Sequence, residues 1–258
     1  MQKTKRKMSP YRSSFLDSIP SVVKNLIVIN VLFFLATVVL KQTHNIRLEE
    51  YLGLHYFMSH DFQLWQLVSY MFMHGDLTHL FFNMFALWMF GTVLENTWGS
   101  KRFLIFYFVT GIGAGLVQEL VGTVRIYPLL SQLPSDAVEL IKTEGRDVLL
   151  AGKNYVNPAM AEFNVIINSI TVGASGSVFG LLLAFGMLFP NQPLFLMFIP
   201  IPIKAKYFVI GYAVIELFLG VGNFQFDNVA HFAHLGGMLF GYFLIRKWRR
   251  DAFNNRMF

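Results

Sequence analysis

The chain has 258 residues, of which 55% are hydrophobic, 16% aromatic and only 14% charged, a composition suited to lipid rather than to water. A formal net charge of +6 would fit nucleic acid if the basic residues formed one patch. Instead Lys3, Lys5, Arg6, Lys7 and Arg12 crowd the start and Arg246, Lys247, Arg249, Arg250 and Arg256 the end, so nucleic acid is not expected as a partner, and the pattern is that of a membrane protein with both termini in the cytoplasm.

With no cysteine in the chain, disulfides and thiolate metal sites are excluded. Residues 1–20 read as a basic cytoplasmic tail, 21–246 as the membrane domain and 247–258 as a second basic tail. The first span, residues 22–40, is long enough to cross about 30 Å of hydrocarbon. It is too long for a signal peptide and lacks a small-x-small cleavage site, so it reads as uncleaved. Residues 41–75 form a loop rich in aromatic side chains, expected to lie in the bilayer interface, with His44, His55 and His60 merely solvated. Span two covers 77–93, Glu95, Lys101 and Arg102 mark a cytoplasmic turn, and span three covers 103–121. Residues 122–170 are polar and contain Pro128, Pro134 and Pro158, which marks an external insertion; Asp136 followed by Glu139 predicts a capped helix over about 137–150. Span four, residues 173–189, stops at Pro190, and an apolar, proline-rich loop leads to Lys204 and Lys206. Span five covers 207–222, residues 223–228 form an outer turn, and span six covers 229–245. Six crossings return the C-terminus to the side of the N-terminus, as the charges require, so the fold class is all-α, a polytopic six-helix membrane bundle in a lipid bilayer. The sequence sets no oligomeric state.

That topology brings several polar groups to one depth, just below the outer surface. Ser175 lies between Gly173 and Gly176 at the start of span four, and His234 lies near the outer end of span six. A serine hydroxyl becomes a nucleophile when a base removes its proton, and imidazole is the suited base near neutrality. Gly176 with Gly180, and Gly237 with Gly241, are four apart and form small faces whose packing would bring Ser175 beside His234. The plainer reading is that these glycines only pack helices and His234 is an interfacial polar residue. His79 and Asn83, also four apart, share a helix face and can donate to an oxyanion alongside the Ser175 amide; the plainer reading is a helix start capped by Asp76. His74 guards or supports that site. Ser177 competes with Ser175 from a different face. His231 and His234 would offer a metal pair together with His74 or His79, but no HExxH motif accompanies them, and no metal or cofactor is expected. Glu216 stands mid-span, where an unpaired carboxylate is costly, without an evident partner. Phe179, four after Ser175, can pack on the His234 ring.

In these residues the chain resembles the rhomboid family of intramembrane serine proteases. A GxSG motif reads Gly173, Ala174, Ser175, Gly176; HxxxxHxxxN reads His74, His79, Asn83; AHxxGxxxG reads Ala233, His234, Gly237, Gly241. Glu95 with Gly99 and Ser100 resembles the family's second cytoplasmic turn. The resemblance implies a rhomboid-like six-helix bundle with a water-filled cavity opening outward. Ser175 and His234 would form a catalytic dyad, with His79, Asn83 and the Ser175 amide as the oxyanion hole. His74 would be a supporting residue and Phe179 would stack on the catalytic histidine. Span five and residues 223–228 would be gate and cap. Substrates would be single-span membrane proteins cut in or near their helix, in a bacterial inner membrane. The family often has Trp-Arg in the first loop where Trp65 is followed here by Gln66. The alternatives are a protease-dead relative that binds membrane clients, which the presence of Ser175, His234, His79 and Asn83 disfavours, and a small transporter, motivated by Glu216 but lacking internal repeats.

Overall fold

The computed structural model describes residues 18–196, 199–222 and 229–254, so the outer turn 223–228 lies outside the described residues, as do residues 1–17 and 255–258 of the two tails. Among the described residues ten α-helices follow in order: α1 (Ser21–His44), α2 (Leu48–Leu52), α3 (Gln66–Ser69), α4 (Leu77–Trp98), α5 (Ser100–Leu130), α6 (Ser135–Leu150), α7 (Pro158–Asn168), α8 (Ser175–Leu188), α9 (Ala205–Gly222) and α10 (His231–Asn254). Four of them, α1, α4, α5 and α9, are long and apolar enough to cross a membrane. Their outward faces carry large apolar side chains such as Leu32 and Leu35 on α1 and Ile210, Leu217 and Phe218 on α9, an arrangement stable in hydrocarbon and unstable in water. The chain is therefore an all-α polytopic membrane protein.

The remaining core helices differ from these four for a physical reason. Short α8 has Gly176, Ser177, Val178, Gly180, Leu181, Leu182, Ala184, Phe185 and Gly186 buried, because it is enclosed by α4, α5, α9 and α10. Its 14 residues span about 21 Å, less than the thickness of the hydrocarbon layer, so an end of this central helix falls inside the membrane. α10 packs against both α5 and α8 and buries His231, Ala233, His234, Gly236, Gly237 and Gly241; facing protein more than lipid, it needs less apolar side chain than a lipid-facing span.

One end of the bundle is tied by Glu95 at the close of α4. Helix α1 begins after Pro20, with no side-chain cap of its own, leaving amides without partners. Glu95, 3% exposed, supplies them from another helix, accepting from Val22 N at 3.1 Å and Val23 N at 2.8 Å, and from Ser100 Oγ at 2.6 Å. One carboxylate thus joins the starts of α1 and α5 to the end of α4, where a helix N-terminus favours negative charge.

Outside the bundle the structure departs from the sequence expectations in several places. Span three runs on to Leu130, with Pro128 inside its last turn, and the rest of the 122–170 insertion is a pair of helices, α6 and α7, over a small second core that includes Tyr56, Ile126, Ile141, Phe163 and Ile167. The helix expected near 137–150 starts earlier, at Ser135 after Pro134; Asp136 lies in its first turn and makes no side-chain cap. Arg146 of α6 docks the insertion by donating to both carboxylate oxygens of Glu50 and to Asn168 O at 2.6 Å. The expected proline-rich loop before Lys204 is an antiparallel hairpin of β1 (Pro193–Leu196) and β2 (Ile199–Lys204), paired Leu194 to Ile203. In the first loop His55 is not solvated but 2% exposed, its Nε2 2.8 Å from Glu50 O. Gln66, where Arg is frequent in the resembling family, is 1% exposed; it accepts from His55 N and Gln63 N and donates to Asp61 O and Tyr51 O. An uncharged amide anchors this loop. Helix α10 continues past Ile245 to Asn254, into the segment expected as a tail.

Glu95→Ala should strand the amides of Val22 and Val23 and loosen α1. The expected loss is about 2–4 kcal/mol, seen as a lower unfolding midpoint in detergent, and Glu95→Gln should lose less because its carbonyl oxygen still accepts.

Candidate active site

Ser175 is the first residue of α8 and follows Ala174, which offers no side-chain cap. The first amides of α8 therefore have no intrahelical acceptor and face an anion-favouring end. The segment leading to them is fixed from outside the helix: Leu54 and Thr171 exchange hydrogen bonds of 2.9 Å, and Gly173 N donates to Tyr70 O at 2.9 Å. Gly173 has φ +128°, a region side chains rarely adopt, and a Cβ there would lie 2.9 Å from Cε1 and Nε2 of His79 and 3.5 Å from Ser175 Oγ. Glycine at 173 therefore leaves the His79 ring and the Ser175 hydroxyl facing one small space.

His234 Nε2 lies 2.9 Å from Ser175 Oγ. What brings them together is contact between backbones. A Cβ on Gly237 would sit 1.9 Å from Gly176 O, and one on Gly241 would sit 3.5 Å from Gly180 Cα. The glycines on α8 serve a different neighbour: a Cβ on Gly176 would meet Ala114 Cβ at 2.3 Å, and one on Gly180 would meet Thr110 at 2.7 Å. The small residues thus fit α8 against α5 and α10 at once. Phe179 stacks on His234 with ring centroids 4.0 Å apart and planes 7° from parallel, and Tyr212 of α9 packs on Phe179 at 5.3 Å. Ser177 is directed elsewhere; its hydroxyl donates to Tyr107 O at 2.7 Å and is buried.

On α4, the Asp76 carboxylate caps the helix by accepting from His79 N at 2.8 Å. The cap uses the His79 backbone and leaves its ring facing the cavity. Asn83 Nδ2 donates one proton to His79 O at 3.0 Å, and its amide carries a second. His74, 4% exposed, packs edge-on to His79 with centroids 5.1 Å apart. Burial, with His79 beside it, pushes the His74 imidazole down to about 4, so it is neutral at physiological pH and adds no charge next to His79. Ser175, His234, His79, Asn83, His74 and Phe179 all line one cavity of about 1610 Å³.

A side chain for which the sequence offered no partner lies beside His234. Glu216 of α9, 5% exposed, places Oε2 2.9 Å from His234 Nδ1 and 2.6 Å from His231 Nδ1. The signal was present in the sequence: a mid-span carboxylate on one helix, and two histidines three apart on the next. Potential metal-ligand atoms of Glu216, His231 and His234 lie within 4.8 Å of one another. The group nearest His231 and His234 is therefore Glu216, rather than His74 or His79.

Comparison with known proteins adds a family. A model of the Rhomboid domain matches residues 61–133 and 145–250. The chain is 27% identical over 212 residues to an uncharacterised mitochondrial rhomboid protein of Schizosaccharomyces pombe, covering 73% of this chain and 52% of that protein. It is 27% identical over 202 residues to the chloroplastic rhomboid-like protein 11 of Arabidopsis thaliana (73% and 54%), and 28% identical over 180 residues to the rhomboid protease GluP of Bacillus subtilis (69% and 25%). The chain thus spans about half, or less, of the length of these relatives.

Because Gly237 sets the distance between α8 and α10, Gly237→Ala should push His234 away from Ser175. Displacements of this kind cost reaction rate about 100-fold, and the rate of Ser175 labelling by a fluorophosphonate should fall accordingly. Gly211→Ala, at a site where a Cβ would meet nothing within 4 Å, should label normally.

Proposed function

Because the chain belongs to the rhomboid family, we propose that it is an intramembrane serine endopeptidase. The observation that carries this reading is the 2.9 Å contact between Ser175 Oγ and His234 Nε2 at the half-buried start of a helix too short to cross the bilayer. Ser175 Oγ attacks the scissile carbonyl carbon while its proton passes to His234 Nε2. The oxygen that becomes anionic is met by the Ser175 amide, the second N–H of Asn83 and the His79 ring. His234 then gives its proton to the leaving amine as the C–N bond breaks. A water, deprotonated by the same nitrogen, cleaves the acyl-enzyme and restores Ser175. Phe179 holds the plane of the imidazole through these steps.

The substrates in this reading are single-span membrane proteins, entering the cavity from the lipid and cut in or near their helix. The basic residues at both ends support an orientation with both termini cytoplasmic and the cavity on the outer side, in a bacterial inner membrane.

The test is cleavage of a single-span model substrate in detergent, together with labelling by a fluorophosphonate. Ser175→Ala and His234→Ala should each lower cleavage by at least about 10³-fold, whereas Ser177→Ala should cleave and label like the parent chain. Cleavage should also persist in excess chelator. A Ser175→Ala protein that still cleaves overturns the mechanism.

A further inference from the structure

We infer that Glu216 is a positioning residue of the reaction: its carboxylate fixes the tautomer and orientation of His234 and so turns the dyad into a triad whose acidic member lies on a different span. The inference rests on the function proposed above. Its basis is one carboxylate oxygen. Oε2 of Glu216 meets both His234 Nδ1 at 2.9 Å and His231 Nδ1 at 2.6 Å. A carboxylate only accepts, so each Nδ1 it meets must carry the proton. With Nδ1 of His234 protonated, its Nε2 presents the lone pair, and Nε2 is the atom 2.9 Å from Ser175 Oγ. The opposite tautomer would present an N–H to the hydroxyl and could not take its proton. When His234 takes the serine proton it becomes an imidazolium, and the adjacent negative charge stabilises it without itself accepting a proton.

The burial pattern of α9 supports this role. The buried residues of that helix are Ala205, Val209 and Glu216, the first two near its start, while Val214, Leu217, Phe218 and Val221 around Glu216 are exposed. A carboxylate on an otherwise lipid-facing stretch of helix is expensive, and it turns inward to the catalytic histidine. His231 holds the same oxygen from the other side, and the close approach of Gly220 to His231, whose Cβ would be 3.1 Å from a Cβ on residue 220, keeps α9 and α10 together there. His234 is thus held on three sides, by Ser175, Glu216 and Phe179.

Glu216→Gln tests it with the single-span substrate in detergent. A glutamine amide can donate to Nδ1 and select the wrong tautomer while preserving shape. The expected result is a fall in kcat of about 10²–10⁴-fold, with KM and the unfolding midpoint unchanged. The same substitution made in His234→Ala should have no further effect on residual cleavage, because Glu216 acts only through His234. If Glu216→Gln does not fold, Glu216→Asp carries the test: charge is kept but reach shortened, and kcat should fall about tenfold at constant KM. Parent-like kcat in whichever variant folds overturns the inference. So does an equal loss on the His234→Ala background. Activation of the parent by a chelator, absent in Glu216→Gln, also overturns it, since the cluster would then be an inhibitory metal site. These outcomes are separable from failure of the protease reading, which would appear as cleavage by Ser175→Ala.

Discussion

Two helix backbones touching at Gly237 and Gly176 are the constraint on which the site depends. In lipid there is little hydrophobic gain from pressing one apolar helix on another, so close association relies on backbone approach and van der Waals contact. The contact here leaves no room even for a methyl group. It is reinforced because α8 is fitted on its other side against Ala114 and Thr110 of α5. A helix gripped in this way cannot rotate to expose a different face, so Ser175 keeps its bearing toward His234. The shortness of α8 then matters: its first amides, lacking caps, end inside the bundle and can serve a ligand's charge instead of water.

Much of this was legible in the sequence, because the informative residues follow simple periods. Spans 22–40 and 77–93 correspond to α1 and α4, and the four-residue spacing of the glycines places them on single helix faces. Other features depend on contacts between distant segments. The insertion was read only in part: the helix expected near 137–150 is α6, but the packing of α6 and α7 depends on Arg146 reaching back to Glu50 in the first loop, and on Asn168 donating to Ile141 O and Asn164 Oδ1. The hairpin before α9 was obscured by prolines, which ordinarily argue against strands; a two-stranded ribbon is all edge and tolerates them. His55 was misjudged for the same reason: a polar side chain in a loop is taken as solvated until its backbone partners are known. The four helices long and apolar enough to span do not include α8 or α10, and the reason is enclosure. A helix surrounded by protein can be shorter or more polar than one that faces lipid.

The two buried carboxylates show how the same cost is met for different ends. Glu95 is surrounded by two backbone amides and a hydroxyl, donors whose charge never changes during a reaction. It suits a joint: three helix ends are held whatever happens at the other side of the membrane. Glu216 is met by two imidazoles, groups able to gain a proton and a charge. The same desolvated carboxylate therefore interacts weakly with its partners while they are neutral and strongly once one becomes an imidazolium, since attraction between opposite charges grows as the surroundings become less polar. In the proposed reaction, stabilisation that rises as the proton leaves Ser175 would act on the transition state rather than on the resting protein. Its position on α9, a helix otherwise turned mainly toward lipid, links that helix's seating to the charge beside His234. Any outward movement of α9 at this level would carry the carboxylate away from His234.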